Sequence, residues 1–210
     1  EVILIPRPGS SKVSSLETVV HNQRQKYGLT SLACANVDGD SVEVGVAGKL
    51  HSKSDVDVTQ DSKYHLGSCT KMMTSALMAR LVEKGKLKWS TTVSQAFPGF
   101  ASSMDPQLKD VSLEMLLTHK AGMVPELRFL DFSLVKRAFE HDLSRRELAK
   151  AALEKPPQHP PGQKFEYSNI GYTIAGAMAE AATGMSWEEL MKREIFEPLG
   201  MKSAGFGPAG

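Results

Sequence analysis

The chain has 210 residues, of which 41% are apolar and 23% charged, a composition that suits a folded globular protein and excludes a disordered or collagen-like one. Lys plus Arg (25) nearly cancels Asp plus Glu (24), leaving a net charge of +1, so no strong field draws nucleic acid or an anionic membrane surface as a partner. No run of about 18 apolar residues is present, so no membrane span is expected, and Cys34 and Cys69 form neither a C-x-x-C pair nor a zinc spacing.

In chain order, the opening Glu1-Val2-Ile3-Leu4-Ile5-Pro6 is too short in its apolar part for a signal peptide. A helix is predicted from Ser14 or Ser15 to Tyr27, with Leu16, Val19, Val20 and Gln23 on one face and Gly28 as its stop. Ser31 to Val37 and Ser41 to Ala47 read as strands around Asp38-Gly39-Asp40, a hairpin signal. Lys49 to Lys63 is polar and reads as a loop. Gly67-Ser68-Cys69-Thr70-Lys71 then opens a helix that is mostly apolar from Cys69 to Val82. A helix apolar on most sides runs through the interior of a fold. Val93 to Phe97, a Pro98-Gly99 turn and a short helix from Leu113 to Thr118 follow. A helical stretch from Ser133 to Leu153 breaks at Pro156-Pro157. Pro160-Pro161-Gly162 leads to Phe165-Glu166-Tyr167-Ser168-Asn169, and helices from Ile170 to Ala182 and Ser186 to Ile195 follow.

Ser68 and Lys71 are three residues apart at a helix start, a spacing that puts two side chains on one face with Cβ atoms about 5–6 Å apart. A serine hydroxyl is a poor nucleophile until a base takes its proton. A lysine becomes such a base when burial and the positive end of a helix dipole destabilise its ammonium. The same terminus offers backbone N–H groups, and that of Ser68 is suited to one half of an oxyanion hole. Ser-x-x-Lys alone is weak, since about one copy arises by chance in a chain of this size. Ser133-Leu134-Val135-Lys136 is a second copy and reads as a helix-surface pair. Gly67 before Ser68 and the apolar helix after it set the first copy apart.

Tyr167-Ser168-Asn169 is the second element. A phenol relays a proton when a neighbouring ammonium lowers its pKa. An asparagine amide both donates and accepts, which suits it to hold a lysine amine or a substrate amide. Read blandly, Tyr167 is a core residue with a satisfied hydroxyl and Asn169 caps the following helix.

Four segments in order resemble the serine β-lactamase and penicillin-binding protein superfamily, and within it the class C β-lactamase, DD-peptidase and esterase branch. They are Leu66-Gly67-Ser68-Cys69-Thr70-Lys71, Leu116-Leu117-Thr118-His119-Lys120-Ala121-Gly122-Met123, Pro161 to Tyr172, and Ile195-Phe196-Glu197-Pro198-Leu199-Gly200-Met201. The resemblance implies an α+β fold of the β-lactamase/DD-peptidase type. Residues 1–63 would be the helix and hairpin of a larger antiparallel sheet, and residues 64–210 the helical part. It implies an acyl-enzyme hydrolase with Ser68 as nucleophile, Lys71 and Tyr167 as proton-transfer groups and Asn169 as the substrate-binding amide. No cofactor and no metal are implied. The substrate would be a small ester, amide or β-lactam. His119 falls in a segment that is a structural turn in the family. The family's third motif, Lys-Thr-Gly or His-x-Gly, lies on a strand beyond the last of these segments. The sequence is therefore expected to be a fragment, or to be completed by a second chain supplying the remaining strands. The alternative is a catalytically silent relative kept as a binding or scaffold module. Gly205-Phe206-Gly207-Pro208-Ala209-Gly210 fits a dinucleotide-binding pattern only by spacing, because no strand precedes it and Pro208 interrupts it.

Overall fold

The computed structural model describes residues 15–125 and 143–207. These form two compact units, one up to His65 and one from Leu66 to Phe206. The copy of Ser-x-x-Lys at Ser133 and the first part of the helix predicted from Ser133 lie outside the described residues.

In the first unit, helix α1 (Leu16–Tyr27) is capped at both ends by the expected chemistry. Ser15 accepts the Thr18 N–H, and Gly28 turns left-handed at φ 63° to close the last turn. Strands β1 (Ser31–Asp38) and β2 (Ser41–Gly48) pair antiparallel from Ser31 opposite Gly48 to Asp38 opposite Ser41. Asp38 thus belongs to the ladder, and the turn is Gly39-Asp40 with Gly39 at φ 57°. Glycine at the first central position is the choice of a type II′ turn, whose twist matches that of the strands. Helix α1 lies close on β2 at Gly45, where a Cβ would meet Leu16 O and Val20 Cγ2 at 3.1 Å each. Only a residue without a side chain lets the helix approach that far, and Val20 is fully buried in consequence.

The second unit is helical. A single 3₁₀ turn (Gly67–Cys69) runs into α2 (Thr70–Glu83), followed by α3 (Val93–Ala96), a 3₁₀ segment (Pro98–Ser103), α4 (Leu113–Leu117) and α5 (Arg145–Leu153). Then come α6 (Asn169–Thr183), α7 (Trp187–Met191) and a wider π-type turn, Lys192–Phe196. The helix predicted to run unbroken from Ser186 to Ile195 is therefore an α-helix ending at Met191 and a differently wound turn. The apolar helix does run along the core through Leu77, Met78 and Leu81, yet its Met72 is 69% exposed. Its interior face is narrower than its composition suggested.

The core joins those α2 residues to Val93, Phe97, Leu108, Leu113, Leu116, Ile170, Ile174, Met178 and Leu190. Each large side chain buried there contributes about 1.5–3 kcal/mol by leaving water. Two packing details set up the site. On α6, small residues Gly171, Ala175, Gly176, Ala177 and Ala179 are buried, and a Cβ at Gly171 would lie 3.2 Å from Leu116 O. Helix α4 and the turn after it therefore sit tight against the start of α6. Arg145 at the head of α5 hydrogen-bonds Glu180 on α6 at 2.9 Å and Glu188 on α7, and stacks over the Trp187 ring at 5.0 Å, which ties three helices at one corner.

Candidate active site

Ser68 is exposed in the 3₁₀ turn that precedes α2, following Gly67 at φ 52°. A left-handed residue immediately before the serine turns the chain sharply into the helix, and glycine adopts it without steric cost. One turn on, Lys71 is half-buried and its Nζ donates to Ser68 Oγ at 3.2 Å. The expected i, i+3 juxtaposition is present.

The second group of residues arrives from far along the chain. Tyr167 Oη lies 2.8 Å from Ser68 Oγ across 99 residues of sequence, and Asn169 Oδ1 accepts from Lys71 Nζ at 2.6 Å. Asn169 does not cap α6. That role belongs to Ser168, whose hydroxyl accepts the Gly171 N–H at 3.1 Å and donates to Val124 O at 2.7 Å. With Ser168 as the cap, Asn169 becomes the first helical residue and its amide is free to meet Lys71.

The Lys71 ammonium is held between two aromatic faces, 4.9 Å from the Tyr167 ring centre and 5.5 Å from that of Tyr172. The Tyr167 phenol is held below its ordinary pKa of 10.0, first by its interaction with Lys71 and then by the Ser68 hydroxyl, while desolvation works the other way. Because Ser68 Oγ already accepts from Lys71, its own proton points to Tyr167 Oη. The arrangement brings a hydroxyl, a lysine amine and a phenol into mutual contact.

Two residues to which sequence reasoning assigned no chemistry complete the surroundings. Tyr172 donates to Leu117 O at 3.0 Å, so Ser75 Oγ, 3.1 Å away, is the donor to Tyr172 Oη. Both are legible in hindsight as helix neighbours, Ser75 at i+4 from Lys71 and Tyr172 at i+3 from Asn169. His119 packs its ring 4.5 Å from that of Tyr167 and 5.3 Å from that of Tyr172. Its Nδ1 accepts the Ser168 N–H at 3.1 Å. Desolvation, then the charge of Lys71, holds its pKa below 6.5, so the ring is neutral with its proton on Nε2.

Fold and motifs together define a class. The β-lactamase family model matches residues 16–210, and the chain belongs to that family. It is 33% identical over 165 residues to "Penicillin-binding protein 4" of Amycolatopsis lactamdurans, covering 79% of this chain and 41% of that protein. It is 26% identical over 190 residues to "Unguisins hydrolase ungD'" of Aspergillus campestris, covering 88% and 35%. Among solved structures, that of the penicillin binding protein from Bacillus halodurans superposes with a TM-score of 0.73 at 22% identity, over 90% of this chain and 57% of the other. The D-amino acid amidase from Ochrobactrum anthropi SV3 gives 0.72 at 21%, over 91% and 53%. These likenesses establish the β-lactamase and penicillin-binding protein fold. The chain spans well under half the length of the curated relatives it matches. No helix among the described residues is long and apolar enough to cross a membrane.

Proposed function

We propose that the protein is a serine hydrolase that forms an acyl-enzyme at Ser68. The observation that carries this reading is the double contact on one oxygen. Ser68 Oγ meets Tyr167 Oη at 2.8 Å and Lys71 Nζ at 3.2 Å, so a proton acceptor and a cation converge on the nucleophile. Family membership and the hydrolases among the relatives support the same class.

In the proposed reaction the Tyr167 phenolate, favoured by the adjacent ammonium, takes the Ser68 proton as Oγ bonds to the substrate carbonyl carbon. The carbonyl oxygen becomes an oxyanion, and the Ser68 N–H at the helix start is one donor to it. Collapse of the tetrahedral intermediate breaks the bond to the leaving group, which takes the proton from Tyr167. Water then repeats the sequence on the acyl-serine, returning its proton through Tyr167 and freeing Ser68. Asn169 holds Lys71 through Oδ1, leaving its NH₂ for a substrate carbonyl. All four groups lie on the part from residue 64 onward, which we assign the chemistry, residues 1–63 being assigned to the sheet. The substrate is a small ester, amide or β-lactam.

Labelling with a fluorophosphonate or a fluorescent penicillin tests the proposal. A covalent adduct is expected that disappears in Ser68→Ala and persists in Ser133→Ala. A folded protein that takes up neither probe is instead a silent relative serving as a binding module.

A further inference from the structure

His119 is the single non-glycine residue with positive φ among the described residues, at 58°. That conformation is uncommon outside glycine and is strained for a side chain of this size, so it persists only where the surroundings hold it. What holds it is the segment that carries Tyr167. The Glu166 N–H donates to the His119 carbonyl at 2.8 Å, and the Ser168 N–H donates to its Nδ1 at 3.1 Å. The residues on either side of Tyr167 are thus both fastened to His119, and the Tyr167 ring rests against the imidazole between them. Gly122 anchors the far end of the same turn. Its carbonyl accepts the Gln158 N–H at 2.9 Å.

We propose that His119 is the positioning residue for Tyr167 and acts only as the neutral imidazole, because protonation sets an Nδ1–H against the Ser168 N–H and releases the Tyr167 loop. This rests on the reading that Tyr167 takes the Ser68 proton. The charged and titratable groups around the ring are Lys71 from α2, Tyr167 on its loop and Tyr172 from α6. The Lys164–Glu166 ion pair lies on the same loop as Tyr167, and Lys120 is the chain neighbour. The nearest full charge is therefore a cation, which opposes a second positive charge at His119 at neutral pH.

The experiment is the pH dependence of the second-order rate of fluorophosphonate labelling at Ser68. Activation requires Tyr167 and His119 both to have lost a proton. The logarithm of the rate should then fall with unit slope as Tyr167 protonates, and with a slope of two below the His119 ionisation, which lies under pH 6.5. His119→Asn keeps an acceptor near the Nδ1 position and tolerates the left-handed backbone, but has no ionisation. It should keep unit slope throughout and lose about tenfold in rate at neutral pH, while His119→Ala loses about a hundredfold. A native near-UV circular dichroism spectrum at each pH confirms the fold. Unit slope in the unaltered protein down to the lowest pH at which the native spectrum is kept, a slope of two retained in His119→Asn, or equal losses in the two variants would each overturn the inference. Should a variant fail to fold, the slope of the unaltered protein decides alone. Failure to label at any pH overturns the Ser68 reading and this one together, whereas labelling with a one-proton acid limb overturns this one only.

Discussion

Tyr167→Phe separates the proton-accepting role proposed for the phenol from everything else the tyrosine does. The substitution removes the oxygen 2.8 Å from Ser68 Oγ and leaves the ring that stacks on His119 at 4.5 Å and faces Lys71 at 4.9 Å. A positioned general base contributes about 10²–10⁴ in rate, which at 1.36 kcal/mol per tenfold is about 3–5 kcal/mol of transition-state stabilisation. The effect on folding is far smaller. A hydrogen bond contributes about 0.5–1.5 kcal/mol net, and Tyr167 is 42% exposed, so the lower end applies. The variant should therefore lose two to four orders of magnitude in the rate of fluorophosphonate labelling while its urea midpoint barely moves. Because the phenol's pKa is lowered by Lys71 and Ser68, the labelling rate of the unaltered protein should rise with pH through a value below 10, and this rise should vanish in the variant. A rate loss of less than about threefold, under about 0.7 kcal/mol, would show that another group takes the proton.

Tyr172→Phe should cost about 1 kcal/mol of stability, since Leu117 O and the Ser75 hydroxyl lose their partner, yet slow labelling much less than Tyr167→Phe. Equal rate losses would place Tyr172 in the proton path. At the Lys84–Glu194 ion pair the carboxylate is 4% exposed and the amine 38%. Lys84→Ala strands a buried charge with Arg193 and the weaker field of Arg80 as its remaining cations and should cost about 2–3 kcal/mol, whereas Glu194→Gln frees a lysine that can reach water and should cost about 1 kcal/mol. The hydrogen bond from Lys84 holds the Glu194 carboxyl below 4.5, so this stabilisation is complete above that pH and is lost as pH falls through the lower, folded value. Acid titration of Lys84→Ala should show the corresponding contribution missing. Finally, Gly122→Ala puts a Cβ 2.3 Å from His159 O at φ 70° and should cost more than about 3 kcal/mol, against about 1 kcal/mol for Gly85→Ala, where φ is 67° but the space is open. Similar melting temperatures for the two would refute the close approach.

Local rules carried the sequence reading a long way. The hairpin was legible because Asp-Gly between two β-rich runs favours a tight turn, although Asp38 pairs with Ser41 and shortens the expected three-residue connection to Gly39-Asp40. Helix α1 was legible from its serine cap and glycine stop. The bland alternative, Asn169 as the helix cap, failed because serine and asparagine compete for that role, and it fell to Ser168 when Val124 O and the Gly171 N–H both reached its hydroxyl.

What the sequence determined by itself is the pairing of Ser68 with Lys71, because three residues of helix hold two side chains on one face whatever the rest of the chain does. Only the tertiary structure decided that Tyr167 and Asn169 meet that pair from 99 and 98 residues away, and that His119 bends left-handed to hold the tyrosine between two hydrogen bonds. Those contacts depend on how closely α4 packs against α6 at Gly171 and on the turn that follows α4. Such packing is a property of two surfaces meeting, and no periodicity within either segment encodes it.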